Sequence, residues 1–153
     1  MPLRERQDVP DRVVPEAIAA IRELIDHRAQ PSTVFDDPDA CVESIARFSD
    51  GRLRDALLVA RTAAEFSDPA QIGVTHNEKA ARRIGSAFLT KPESWPRLAQ
   101  IHRDKQVADT SLDHELLKHS LVLIYDGEPW WDVHPLVRLD ARFTSAWQTL
   151  AGS

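Results

Sequence analysis

LDHELLKHSLVLIYDGEPWWDVHP, residues 112–135, packs a short helix, an apolar strand, a tight turn, an aromatic strand and a proline stop into about two dozen residues. Ser111 to His119 is predicted helical, with Leu112, Leu116 and Leu117 on one face. Leu121 to Tyr125 is the first strand and Trp130 to Val133 the second. Asp126-Gly127-Glu128-Pro129 is the turn between them, because Asp-Gly between two apolar runs is a strong hairpin signal. A helix that runs straight into a hairpin is the end of a winged helix-turn-helix. The hairpin is then the wing, and residues 111–119 occupy the place of a recognition helix. Asp113, His114, Lys118 and His119 are its candidate contact residues; Glu128, Trp130 and Trp131 are those of the wing. Strand alternation sends one of the two tryptophans to the core and the other outward.

Upstream of this stretch the pattern is helical. Pro15 opens a helix in which Ala17, Ile18, Ile21, Leu24 and Ile25 recur at helical spacing, fading near Arg28. Val34 and Phe35 form an apolar anchor in a loop. Asp37-Pro38 caps a second helix with Cys41, Val42, Ile45 and Phe48 inward, and Gly51 stops it. Arg52 to Phe66 is a third, with Leu53, Ala56, Leu57, Ala60 and Ala64 as its stripe. Thr75-His76-Asn77-Glu78 has the form of a capping box opening a fourth, which runs to about Leu89 with Ala80, Ala81, Ile84, Ala87 and Phe88 inward. A fifth, from Glu93 to Lys105, buries Trp95, Leu98, Ala99 and Ile101. After the hairpin, His134-Pro135 caps one closing helix with Leu136, Leu139, Phe143, Trp147 and Leu150 on a single face. The fold class is therefore mainly α. Residues 1–13 are an extended lead-in, 14–70 a three-helix bundle, and 75–150 a winged helix with one β-hairpin and a closing C-terminal helix, with the break at 67–74.

The chain has 153 residues and one cysteine, Cys41, which cannot form an internal disulfide and falls on the apolar side of its helix. No apolar run approaches a membrane span and no secretory signal is present, so a cytoplasmic location is the expectation. The net charge of −5 resides in the first half: residues 1–74 hold nine Lys/Arg against fourteen Asp/Glu, and residues 75–138 hold nine against nine. A DNA-binding domain usually carries a basic footprint. None is present as a run, although folding could gather Lys79, Arg82, Arg83 and Arg103 on one side. Residues 111–119 also place two acids near the helix start and supply no Arg, Asn or Gln for bidentate base contacts.

The stretch Ser49-Asp50-Gly51-Arg52-Leu53-Arg54-Asp55-Ala56-Leu57, together with 116–125 and 130–135, resembles the C-terminal region of bacterial AAA+ and related P-loop ATPases, where a helical lid precedes a winged helix. The resemblance covers about residues 21–137. It implies that Arg54, two residues after the Gly51-Arg52 step, stands at the family's nucleotide-sensing position on the opening turn of a lid helix. An Arg there would add a fork of donors to the positive end of the helix dipole. The five glycines, Gly51, Gly73, Gly85, Gly127 and Gly152, never take the Gly-x-x-x-x-Gly-Lys-Ser/Thr form that cradles phosphates. ATP and Mg²⁺ would then require a motor domain supplied elsewhere, and the chain is either an excised C-terminal region or a fragment acting beside a separate ATPase.

His114, His119, Asp132 and His134 could be drawn together as a metal site, and Asp132-x-His134 on a strand would point both side chains to one face, but His119 at a helix end and His134 as a cap before Pro135 are better explained by structural roles. Nor do the histidines and carboxylates form a nucleophile–base pattern. The sequence thus predicts no enzymatic activity, no metal and no cofactor for the chain alone. It predicts a regulatory interaction module that docks a partner protein or the ATPase core, with a DNA-binding winged helix as the alternative.

Overall fold

The computed structural model describes residues 15–88, 90–125 and 129–153. The protein is mainly helical with one small antiparallel hairpin. The described elements are α1 (Pro15–Asp26), α2 (Pro31–Val34), α3 (Pro38–Ser49), α4 (Leu53–Ser67), α5 (Val74–Ser86), α6 (Ser94–Asp104), α7 (Ser111–Lys118), β1 (Val122–Tyr125), β2 (Trp130–Val133), α8 (Pro135–Arg138) and α9 (Ala141–Ala151). The chain divides into two compact units, 1–84 and 85–153.

In the first unit α3 packs on α4 and α1 lies against both. Asp37 caps α3 as its sequence predicts, accepting from the Ala40 amide at 3.1 Å. The helix ends on two left-handed residues, Asp50 (φ 52°) and Gly51 (φ 77°). Residues 31–34 form a short helix where a loop was expected. Phe35, buried beside it, makes a parallel bridge to Ile72. The capping box expected at Thr75 does not form, because α5 begins one residue earlier. His76 Nδ1 instead accepts from the Gly73 amide at 2.9 Å. The division between units falls inside α5 rather than at 67–74. Asn77, fully buried, gives the reason: its Nδ2 donates to Cys41 O (3.2 Å) and Ser44 Oγ (2.8 Å), tying the start of α5 to α3.

The largest departure concerns α4. The stripe expected inward included Leu53, Leu57, Ala60 and Ala64, yet Leu53 and Ala64 are exposed and Leu57 and Ala60 half-buried. The buried face is Ala56, Val59, Thr62, Ala63 and Ser67. Successive helical residues step 100° around the axis, so both sets satisfy a 3–4 spacing. The small side chains let α4 approach α3 closely, and the leucines are left outside.

The second unit is built on a cluster of Trp95, Leu98, Ile101, Leu116, Leu121, Val122, Val133, Val137 and Phe143. α6 packs on α9 and on β2. The hairpin register pairs Val122 with Val133, Leu123 with Asp132, Ile124 with Trp131 and Tyr125 with Trp130. Most of its turn, 126–128, lies outside the described residues. The single closing helix expected after Pro135 is two. Asp140 accepts from the Arg142 amide at 2.8 Å and starts a new N-terminus, separating α8 from α9. Gly85 sits where a Cβ would lie 2.1 Å from the Leu136 carbonyl oxygen, so the end of α5 reaches the start of α8 only as glycine.

Candidate functional site

Two surfaces bear on function: the α7–hairpin region of the second unit and the outer face of α4 in the first.

α7 starts at Thr110, whose Oγ1 accepts from the Asp113 amide at 3.2 Å. Asp113 was expected at the surface as a contact residue; it is fully buried. Arg97 on α6 grips it with two bonds, Nε to Oδ1 at 2.8 Å and Nη2 to Oδ2 at 2.6 Å, and the Ala108 amide donates to Oδ2 at 2.6 Å. Burial of a carboxylate requires such pairing. The Arg97 fork, with the Ala108 amide, holds its carboxyl below the usual carboxylate range despite burial. Asp113 therefore joins α7 to α6 and cannot contact a partner. His114 and Lys118 are exposed, as is His119 at the C-cap. His114 Nε2 lies 3.0 Å from Asp109, and Glu115 pairs with Lys91 at 2.9 Å.

The wing tryptophans do not stand out as a tip. Trp130 is buried and stacks on Tyr125, ring centroids 4.1 Å apart. Trp131 is half-buried and rests on the core cluster. Ile124, paired with Trp131, is the exposed aliphatic of the hairpin. Glu128 lies outside the described residues.

Behind the hairpin is a network with no local signature in the sequence. Asp132, fully buried on β2, accepts at Oδ1 from His102 Nδ1 (2.6 Å) and the Val133 amide (2.7 Å), and at Oδ2 from Lys105 Nζ (2.8 Å). His102 packs edge-on to Trp147 and Phe143 of α9. Lys105 ends α6 in a left-handed conformation, φ 56°, where glycine is the low-cost residue. A lysine is held there because its ammonium serves Asp132 and its carbonyl accepts the Trp131 amide at 3.2 Å. The network braces β2 to α6. His134 is likewise structural: buried, it caps α8 by accepting from the Leu136 amide at 3.1 Å. Among the described residues no group of three or more His, Cys, Asp or Glu could hold a metal ion, and no helix is long and apolar enough to cross a membrane. Cys41 is buried, and burial first, then nearby Asp36, pushes its thiol up to about 11.

The charge of the second unit is arranged internally. Its seven Lys/Arg face nine Asp/Glu. Lys91, Arg97, Arg103, Lys105 and Arg142 lie 2.9, 2.6, 2.7, 2.8 and 2.8 Å from Glu115, Asp113, Asp104, Asp132 and Asp140. Arg103, one of the cations that folding could have gathered into a basic face, is thus held by its own neighbour. In the first unit Arg83 pairs with Glu65 at 3.1 Å.

α4 contrasts with this. Arg54, in its first turn, is exposed, as are Leu53 (47%), Leu58 (41%), Arg61 and, near its end, Phe66 (41%). Arg52, just before the helix, pairs with Asp55 at 3.3 Å. No family model, curated protein or solved structure matches the chain.

Proposed function

We propose that the chain is a non-catalytic interaction module, the lid and winged helix of a P-loop ATPase, which docks a partner protein or the ATPase core through α4. The observation that carries this reading is the inverted helix. α4 turns Ala56, Val59 and Ala63 inward and leaves Leu53, Leu58 and Phe66 at the surface. Burying a leucine or phenylalanine contributes about 1.5–3 kcal/mol, and a second surface laid on Leu53 or Leu58 would gain part of it. Arg54 stands among them, at the position where the family's sensor arginine meets nucleotide phosphates once a motor domain is present. A cytoplasmic setting belongs to the same reading.

The order α5, α6, α7, hairpin supports a winged helix, and the engagement of Asp113 and Glu115 removes the acids that would repel DNA from α7. Duplex DNA is nonetheless the weaker alternative, because five of the second unit's seven cations are already on carboxylates and phosphate contacts supply most of non-specific affinity. A photo-crosslinking residue at position 58 is expected to join a protein partner in the source cells, while one at position 118 is not, and duplex DNA is expected to give no gel shift even at low salt. A salt-dependent shift weakened by Lys118→Ala would replace docking with DNA binding. ATP turnover by the purified chain, abolished by Arg54→Ala, would sink the non-catalytic reading.

A further inference from the structure

The geometry of α4 points to an acidic, aliphatic protein segment as its partner: one that lays apolar side chains on Leu53, Leu57 and Leu58 and sets carboxylates opposite Arg54 and Arg61. This rests on the docking reading and specifies what docks.

Arg54, Leu58 and Arg61 follow at i, i+4 and i+7 and are all exposed, so they share one face. Leu53, Leu57, Ala60 and Ala64 form the neighbouring strip, exposed or half-buried. Its two alanines leave room for another helix to come close. The acids that could neutralise the arginines are engaged elsewhere: Asp55 with Arg52 and Glu65 with Arg83. Seven residues of helix separate Arg54 from Arg61 by roughly 10 Å along the axis. Carboxylates two turns apart on a partner helix repeat at the same spacing. The surroundings add direction. The first unit, residues 1–84, carries twelve Lys/Arg against fifteen Asp/Glu, so Arg54 and Arg61 stand on a net-acidic unit. An acidic segment is repelled by the remainder and steered onto α4, while the polyanionic backbone of DNA would meet two cations in a net-negative field.

The test uses the full chain and synthetic helical probes with a leucine ridge flanked by glutamates in one and by lysines in the other, read by fluorescence anisotropy. The glutamate probe is expected to bind, more weakly as salt rises. Arg61→Glu should weaken it roughly tenfold, and the lysine probe should regain binding to that variant. Equal affinity for both probes, unmoved by Arg61→Glu, would overturn the acidic partner and leave docking intact. Failure of both probes to bind would remove docking as well. Mg·ATP binding lost in Arg54→Ala, with no response to either probe, would reassign the face to phosphate. Sedimentation showing self-association abolished by Leu58→Lys would give it to a second copy of the chain and overturn the proposal.

Discussion

α4 and α6 are both amphipathic helices of similar length, and they commit opposite kinds of side chain to their own units. α6 buries Trp95, Leu98 and Ile101 and is then locked through its polar residues, Arg97 to Asp113 and Lys105 and His102 to Asp132. α4 buries alanines, one valine and Thr62, and leaves leucines and arginines outside. The second unit uses its large apolar groups and its charges for internal cohesion. The first leaves Leu53, Leu58, Arg54 and Arg61 exposed on α4. An ordinary surface carries scattered apolar residues. What distinguishes α4 is that the larger side chains lost the competition for the interior to smaller ones on the same helix.

The contrast can be broken in four places. All four tryptophans, Trp95, Trp130, Trp131 and Trp147, lie in the second unit, so their fluorescence follows that unit alone. Asp132→Ala strands Lys105 and His102 and should lower its urea-unfolding stability by about 3–5 kcal/mol, the usual cost of breaking a buried pair; a wild-type midpoint would show that the network holds nothing together. Gly85→Ala, with its Cβ against the Leu136 carbonyl, should cost about 1–3 kcal/mol by the same measure. Acid should act through Asp113 and Asp140, both held below the ordinary carboxylate range, chiefly by Arg97 and Arg142. Because the folded values are depressed, this stability is complete above about pH 4, where the unfolded carboxylates are ionised, and is lost as pH falls through the folded values. Asp113→Asn should flatten that acid limb in a pH series of melts, and an unchanged limb would place the acid sensitivity elsewhere. Leu58→Lys should change stability by less than about 0.5 kcal/mol, followed by circular dichroism. A loss of 2 kcal/mol or more would mean that Leu58 contributes to its own core, and the contrast between the two helices would collapse.

Much of the second unit was legible from sequence because its signals agree. Trp95, Leu98 and Ile101 fit one period, His134 is a plain cap, and the strand runs flank an Asp-Gly pair. α4 was not, because two stripes compete on it. Hydrophobicity selects Leu53 and Leu57; close approach to α3 selects Ala56, Val59 and Ala63, and only the tertiary partner decides between them. The buried acids were hidden for another reason. Asp113 finds Arg97 on the preceding helix, and Asp132 finds Lys105 and His102 at the end of α6, so neither pairing has a local spacing to betray it. The break between α8 and α9 carries an N-cap signal at Asp140, masked by an apolar spacing that runs smoothly past it.

The bond from the Trp131 amide to the Lys105 carbonyl has a consequence for solubility. A two-stranded ribbon ordinarily offers a bare outer edge on each strand, and such edges recruit strands from other chains. On β2 that edge is occupied at Trp131 by the end of α6, so an incoming strand must first displace the bond. The Lys105 carbonyl thus covers part of the outer edge of the strand that carries both tryptophans.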